Sequence, residues 1–330
     1  MWRVIGHSKA VALLERSLDG EHLSHAYLFI GPRHVGKTTL AIDLAQALNC
    51  EGTDLPCGSC SPCTRIAAAK HPDVHLIGLG PDKKTEVSID QIRNMQHDAA
   101  LPPFEGKYKV FIIDDTESLS LEAANSLLKT LEEALPQQVY ILLATAENLV
   151  LPTIISRCQR IQLHPVPHTT IARTLVERYD IPKDRAEALA HMSKGCPGWA
   201  INAAQKGALV EERSDRLSTL IEAIKADTEG RFAFAAELAQ EFSKNRRYGD
   251  EILALWLDWW RDLLLVKGGD AQSITNIDYQ TTLLKQAARC SLPQIKDFVR
   301  RLVEARGMLR QNVNTRLMLE TLMLGMPRAL

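Results

Sequence analysis

Two groups of residues near the amino terminus have the types and spacing that chemistry requires. The first is the octet Gly31-Pro-Arg-His-Val-Gly-Lys37-Thr38, which follows an apolar run and precedes a helical pattern. A glycine-rich turn between a strand and a helix offers backbone N–H groups and a helix amino terminus to phosphate. The lysine of such a turn reaches the β- and γ-phosphates, and the next threonine ligates Mg²⁺. The octet therefore predicts an ATP- or ADP-binding loop, the alternative being a glycine-rich turn without function. The residues expected to contact nucleotide here are Gly31, Gly36, Lys37, Thr38 and Thr39.

The second group is a set of four cysteines within fourteen residues, namely Cys50, Cys57, Cys60 and Cys63. Successive two-residue gaps among the last three match a tetrahedral structural Zn²⁺ site with no open position for catalysis. The alternatives are packing thiols or, in a secreted protein, disulfide partners. No apolar signal segment follows Met1, so we expect a reducing cytoplasmic location and favour zinc. The isolated thiols, expected to be small buried hydrophobic side chains, are Cys158, Cys196 and Cys290.

Polar residues also follow two apolar runs farther along the chain. Asp114 and Asp115 follow one run, and Thr145 follows the next. Open α/β sheets bind ligands at the carboxyl ends of their strands. Asp114 is expected to hold the Mg²⁺ of the phosphate loop, and Thr145 to contact the γ-phosphate or the attacking water. An aspartate pair is otherwise a common turn former, and a threonine at a strand end needs no function.

One further residue that can act on a nucleotide is Arg157, within Ser156-Arg157-Cys158. An arginine here can reach the nucleotide of a neighbouring subunit as an arginine finger and spread the charge of the transition state. The alternative is an arginine that is simply solvated at the surface.

The elements that must position these residues change character along the chain. Apolar runs alternate with amphipathic helices up to about Pro165, which is typical of a parallel α/β sheet. Beyond Thr169 the pattern is helical throughout. A stripe of three tryptophans in the helical part favours core packing over a cofactor box. The expected strands are 26–30, 74–77, 109–113, 139–144 and 161–163. The expected domains are 1–166, with the zinc module at 50–63, then a small helical unit at 167–207 and a longer helical region at 208–330.

Composition limits the classes of function. The 330 residues are 45% hydrophobic and 24% charged, with a net charge of −1. Two or three domains are expected, because single cores stop growing near ~250–300 residues. A near-neutral chain lacks the basic footprint of a free-standing nucleic-acid-binding protein. No apolar run approaches the ~20 residues of a membrane span, so we expect no membrane partner.

With these motifs in place, the chain resembles the bacterial clamp-loader ATPases, which are the gamma/tau and delta-prime subunits of DNA polymerase III. The resemblance rests on the phosphate loop, the four cysteines, Leu142-Leu-Ala-Thr145, Ser156-Arg-Cys158 and the stretch from Ala124 to Glu133. It covers residues 1–206 closely and the helical remainder more loosely. It implies an AAA+ nucleotide-binding domain with an inserted zinc module, a helical lid, and a collar that joins five subunits into a ring.

Departures from the motor subunits favour the delta-prime branch of this family. Asp115 stands where the gamma/tau motif has a glutamate that polarises water, and Gly198 stands where the motor lid has an arginine. The chain also stops at its collar, without a polymerase-binding extension. The resemblance then implies a stator-like subunit that lends Arg157 to a neighbour, binds nucleotide weakly or without hydrolysis, and contains no polymerase site of its own.

The partners that the resemblance implies are the gamma/tau and delta subunits and, through the assembled complex, the sliding clamp and primed DNA. Two alternatives remain open from the residues alone. One is a gamma-type motor that hydrolyses ATP itself, and the other is a zinc-dependent nucleic-acid-binding module.

Overall fold

The computed structural model describes residues 1–20, 23–79, 86–309 and 313–328. It divides into two compact units. The first comprises Met1–Thr174 with Gly195–Trp199, and the second comprises Leu175–Lys194 with Ala200–Leu330. The domain boundaries expected at residues 166 and 207 remain predictions. No described helix combines the length and apolar character needed to cross a membrane.

The first unit is built on a five-stranded parallel sheet in the order β2-β3-β4-β1-β5. Every residue of β1, β3 and β4 is buried, which explains why these segments read as continuous apolar runs. The parallel α/β fold class is therefore confirmed. The strands are β1 (Ala26–Ile30), β2 (Val74–Ile77), β3 (Lys109–Ile113), β4 (Gln138–Ala144) and β5 (Gln159–Gln162).

The fifth strand begins two residues earlier than the apolar pattern predicted and ends at Gln162. Its polar residues Gln159 and Arg160 pair with Tyr27 and Leu28 of β1. A strand at the edge of a sheet can carry such residues, because one side of it is open to solvent. Apolar content alone therefore misplaced the start of this strand.

Helices cover both faces of the sheet in the first unit. Leu28 and Phe111 belong to the apolar cluster on one face, and Phe29 and Ile112 to the cluster on the other. The helices are α1 (Ser8–Asp19), α2 (Lys37–Asn49), α3 (Ser61–Ala67), α4 (Ile89–Ala99), α5 (Leu121–Glu132), α6 (Pro152–Ile155) and α7 (His168–Tyr179), the last of which continues into the second unit. Short 3₁₀ turns lie at Thr116–Ser118 and Glu147–Leu149.

The described part of the second unit is helical, as expected, and its core contains the tryptophan stripe. Trp256, Trp259 and Trp260 are buried, and the Trp260 ring lies 4.6 Å from that of Phe298 between centroids. Core packing, rather than a cofactor box, is confirmed for this stripe. The helices are α8 (Lys183–Met192), α9 (Pro197–Gln205), which begins in the first unit, α10 (Ala208–Lys225), α11 (Thr228–Lys244), α12 (Arg246–Lys267), α13 (Gln280–Arg289), α14 (Leu292–Met308) and α15 (Thr315–Gly325).

Candidate nucleotide and metal sites

Three neighbouring strands bring the predicted nucleotide residues to one edge of the sheet. Gly31 follows β1, Thr145 follows β4, and Asp114 follows β3. Because these strands are parallel and adjacent, their carboxyl ends meet at this edge. The Gly31 N–H donates to the Ala144 carbonyl at 3.1 Å, which fixes the start of the phosphate loop beside Thr145.

The backbone of the phosphate loop forms a cradle that only glycine permits at two points. Gly36 has φ of 119°, in the region that disfavours side chains. A Cβ at Gly31 would lie 2.5 Å from the Leu163 carbonyl oxygen. The first hydrogen bond of α2 runs from Leu40 N to Gly36 O, so the N–H groups of residues 37–39 precede the helical ladder. This arrangement of free donors at a helix amino terminus fits a nucleotide phosphate.

Lys37 is buried at the base of this cradle and bonds to the loop itself. Its Nζ donates to the Gly31 carbonyl at 2.7 Å and to the Pro32 carbonyl at 3.0 Å. Burial lowers the pKa of Lys37, while the carboxylates of Asp114 and Glu117 act in the opposite direction. The lysine therefore lies among acidic groups and carbonyls at the position expected for phosphate binding.

The two aspartates after β3 point to different partners. Burial raises the pKa of Asp114, and the hydrogen bond from Asp115 N to its Oδ1, at 2.9 Å, opposes this rise. Asp115 has a left-handed backbone, with φ of 49°, and its carboxylate accepts from Arg33 Nη2 at 2.8 Å. The Asp115 carboxylate is thus paired with a residue of the phosphate loop.

Glu117, which the sequence reasoning did not single out, is the partner of Thr145. The Thr145 hydroxyl donates to Glu117 Oε1 at 2.7 Å, and the Thr145 N–H lies 3.3 Å from both carboxylate oxygens. The available signal was a third acidic residue within four positions of the β3 carboxyl end.

Gly198 packs directly on the phosphate loop. Its N–H donates to the His34 carbonyl at 2.9 Å. A Cβ at this position would lie 3.0 Å from that oxygen, so the contact is close enough to favour glycine. In this chain, the residue at the position expected to carry an arginine in the motor pattern is Gly198, and its backbone contacts the phosphate loop.

The four-cysteine cluster lies beyond the other end of α2, with Cys50 as the residue that ends the helix. All four sulfur atoms lie within 4.8 Å of one another. Two of the Sγ–Sγ distances are 3.9 Å, for Cys50 and Cys60, and 4.0 Å, for Cys57 and Cys63. Tetrahedral Zn–S bonds of about 2.3 Å separate sulfurs by about 3.8 Å, so the cluster fits this ion. None of the seven cysteines forms a disulfide in this structure.

Backbone N–H groups point at the sulfurs of this cluster. Gly52 N and Cys57 N each lie 3.3 Å from the Cys50 sulfur, and Cys60 N lies 3.3 Å from that of Cys57. The N–H groups of Cys60 and Ser59 lower the pKa of the Cys57 thiol to about 5. Burial, by contrast, raises the pKa of the isolated Cys158 to about 12. Within the cluster, burial raises the pKa of Cys63. The N–H donors to the Cys50 and Cys57 sulfurs favour the thiolate form, which is the form that binds metal.

Arg157 lies at the opposite edge of the sheet from the phosphate loop. It precedes β5, whose first residue pairs with Tyr27 near the start of β1, whereas the loop follows the end of β1. Five residues at about 3.3 Å each separate these edges by about 16 Å. Arg157 Nη1 donates to the Thr153 carbonyl at 2.8 Å, and Nη2 pairs with Glu132 at the end of α5.

The structure therefore divides the predicted site residues into three places. The carboxyl edge of the sheet holds the nucleotide set, the far end of α2 holds the cysteines, and the amino edge holds Arg157. The nucleotide set at one edge consists of Gly31, Gly36, Lys37, Thr38, Thr39, Asp114, Asp115 and Thr145.

A parallel sheet with a phosphate loop after its β1 strand and a four-cysteine module after α2 defines a P-loop fold with an insertion that could hold a metal ion. Two family models match the chain. The model described as DNA polymerase III, delta subunit, matches residues 6–167, and that described as DNA polymerase III, delta subunit, C terminal, matches residues 210–327. The DNA polymerase III subunit delta' of Bacillus subtilis is 30% identical over 317 residues, covering 96% of this chain and 94% of that protein. The chain belongs to the delta' family of DNA polymerase III clamp-loader subunits.

Similarity over a shorter part of the chain extends to tau subunits. The DNA polymerase III subunit tau of Escherichia coli is 40% identical over 163 residues, which are 48% of this chain and 25% of that protein. The chain therefore matches about a quarter of that relative's length. A solved gamma subunit-related protein from Thermotoga maritima aligns over 96% of this chain and 97% of its own, with 18% identity and a TM-score of 0.41.

Proposed function

We propose that this chain acts within a clamp loader as a subunit that completes a neighbour's ATP site and does not hydrolyse ATP efficiently itself. In the assembled complex it helps to load a sliding clamp onto primed DNA. Its partners are subunits of the gamma/tau and delta types, a proposal supported by the names of its relatives. The polymerase chemistry of the holoenzyme belongs to other chains.

The observation that carries this proposal is the placement of Arg157. Its guanidinium lies at the amino edge of the sheet, while the phosphate loop of the same chain lies at the carboxyl edge. The side chain is 33% exposed and held by one acidic partner and one carbonyl. An arginine so placed cannot serve its own loop, but it is available to a nucleotide on another subunit.

The phosphate loop supports nucleotide binding with poor turnover. Lys37, Thr38 and Asp114 provide the cation, the hydroxyl and the carboxylate that hold phosphates and Mg²⁺. Hydrolysis additionally requires a positioned water and stabilisation of developing charge. Asp115 is one methylene shorter than glutamate and is paired with Arg33, so water positioning is weakened. A bound nucleotide would contribute its phosphates and Mg²⁺ to this edge.

The cysteine cluster has a structural role in this proposal. Four thiolates fill a tetrahedral shell of Zn²⁺ and leave no position for a catalytic water. The metal would hold the segment between α2 and α3 in place. Reduced thiolates also fit the cytoplasmic location expected from the sequence.

The intact phosphate loop favours one second candidate, a gamma-type motor that hydrolyses ATP itself. The two candidates differ in the behaviour of the isolated chain. A motor would turn over ATP in the steady state without partners, whereas the proposed subunit would bind nucleotide and leave it largely intact.

The experiment that tests the proposal is reconstitution of the clamp loader with Arg157→Ala. We expect the DNA- and clamp-stimulated ATPase to fall by at least about twofold. An arginine finger contributes ~10³–10⁵ at a single site, and this is one site among several. Arg157→Lys should not restore the rate, because an ammonium does not reproduce the planar fork of the guanidinium.

Arg16→Ala is the matched control for this experiment. Arg16 is also exposed and donates to the carbonyl four residues earlier, at 3.2 Å. Zinc content and nucleotide affinity of the Arg157→Ala chain should equal those of the unmodified protein. A reconstituted complex that loads clamps and hydrolyses ATP at the unmodified rate would show that Arg157 is only a surface residue.

A further inference from the structure

The contact between Glu117 and Thr145 places a carboxylate at the hydrogen-bond donors that a terminal phosphate of a bound nucleotide would use. Thr145 directly follows β4, beside the Gly31 that opens the phosphate loop. Its hydroxyl and its backbone N–H both point at the Glu117 carboxylate, at 2.7 Å and 3.3 Å. A carboxylate and a phosphoryl group use the same donors in the same way. Glu117 thus occupies the donor pair that Thr145 would offer to a γ-phosphate.

Acidic side chains lie near both of the neighbouring cations, Arg33 and Lys37. Arg33 Nη2 lies 2.8 Å from Asp115 Oδ1 and is committed to that pair. The carboxylates of Asp114, Glu117 and Asp115 favour the charged form of Lys37 and so oppose the lowering of its pKa by burial. Three carboxylates therefore face two cations at this edge, before any nucleotide binds. A diphosphate in the cradle uses the amino terminus of α2, Lys37 and the Mg²⁺ held at Asp114.

A third phosphate changes the electrostatics of the site. It would add negative charge next to Glu117 and would have to break the bonds between Glu117 and Thr145. Placing like charges side by side disfavours binding, and it discriminates between ligands.

We propose that Glu117 makes this site selective for a nucleoside diphosphate over a nucleoside triphosphate, by holding Thr145 and by repelling the γ-phosphate. This selectivity rests on the nucleotide binding put forward under the proposed function and assigns the ligand class of that same site. Glu117 acts here as a specificity-determining residue, with no role in bond cleavage.

Calorimetric titration of the full, zinc-loaded chain tests this selectivity. The probes are ADP and the non-hydrolysable analogue AMP-PNP, each with Mg²⁺. We expect the unmodified chain to bind ADP at least about tenfold more tightly than AMP-PNP. Glu117→Ala should raise the affinity for AMP-PNP by about tenfold and change that for ADP by less than about threefold.

Two further variants make the result specific to the charge of Glu117. Glu117→Gln retains an acceptor for the Thr145 hydroxyl and removes the negative charge, so it should also reduce the preference for ADP. Glu122→Ala is the control, because Glu122 is an exposed carboxylate in the first turn of α5. Zinc content and near-ultraviolet circular dichroism of each variant should match the unmodified chain.

The outcomes separate this proposal from the one on which it rests. Equal, Lys37-dependent affinities for ADP and AMP-PNP in the unmodified chain would overturn the selectivity and leave nucleotide binding intact. A preference for ADP that persists in both Glu117 variants would also overturn the role of Glu117. If neither ADP nor AMP-PNP binds, both the selectivity and the nucleotide binding itself are overturned.

Discussion

The two ends of helix α2 lie next to two kinds of site, which differ in how well they tolerate the substitution of a single residue. At its amino end lies the phosphate loop, and at its carboxyl end Cys50 begins the four-cysteine cluster. The four cysteine sulfurs converge within 4.8 Å, and each would contribute the same kind of bond to a metal ion. The phosphate-binding edge instead divides its work among residues of different types, some for binding and some for hydrolysis.

This difference explains how one site stays complete while the other departs from the motor pattern. A tetrahedral metal site loses most of its affinity when one ligand is lost. A nucleotide site can keep Lys37 and Thr38 for binding while the water-positioning carboxylate changes. Asp115 is paired with Arg33 at 2.8 Å, which fits such a change. In the proposed function, nucleotide binding can therefore persist without turnover at the amino end of α2, whereas metal binding at its carboxyl end would need all four cysteines.

The largest effect is expected at the cysteine cluster. Cys60→Ser should lower zinc content from about one ion per chain to near zero, with affinity reduced by more than about 100-fold. Changes in the groups that support metal ligands already cost about 10–100-fold, and loss of a ligand costs more. Elemental analysis of reduced protein measures the ion.

Cys158→Ser is the matched control, because burial raises the pKa of Cys158 to about 12 and keeps it a thiol. The helical second unit should remain folded in both variants, as judged by circular dichroism. Full zinc content in Cys60→Ser, or none in the unmodified protein, would contradict a four-thiolate site.

The second-largest effect is expected for Lys37→Ala, on the affinity of the phosphate loop for nucleotide. Removing a buried cation from a charge-assisted contact costs about 3 kcal/mol, which weakens ADP binding by about 100-fold. Fluorescence titration with a labelled nucleotide measures this loss. Lys9→Ala, at an exposed lysine of α1, should leave the affinity unchanged. Similar affinities for Lys37→Ala and the unmodified chain would remove the phosphate loop from the binding site.

The smallest effect is expected for Asp115→Glu, which restores the glutamate of the motor pattern. Steady-state ATPase of the isolated chain should stay low and change by less than about threefold. Position 115 has a left-handed backbone, which disfavours glutamate relative to aspartate, and it faces Arg33, which would pair with either carboxylate. Asp19→Glu, at an exposed aspartate of α1, is the control. Robust turnover in the unmodified chain would instead support the gamma-type motor, and a large gain in the variant alone would show that Arg33 does not restrain a glutamate at this position.

The fold and the site residues differ in how far the sequence predicts them. Continuous apolar runs located β1, β3 and β4 because both faces of these strands are buried. The cysteine spacing indicated a cluster because tetrahedral geometry places narrow limits on the chain between ligands. The start of β5 was missed, since an edge strand need not be apolar.

Sequence patterns did not predict which side chains pair with each other at the phosphate-binding edge. The contact of Arg33 with Asp115 depends on a positive φ at Asp115, and an aspartate adopts this conformation only occasionally. The contact of Glu117 with Thr145 depends on how the 3₁₀ turn after β3 packs beside the end of β4. Both are long-range consequences of tertiary structure, which local propensities do not record.

The contact between Gly198 and the phosphate loop has a consequence for substitutions at this position. The His34 carbonyl oxygen would lie 3.0 Å from a Cβ at position 198, so a larger residue here requires the loop to shift by a few tenths of an ångström. An arginine at position 198 would therefore alter the nucleotide cradle through its own Cβ as well as introduce a charge.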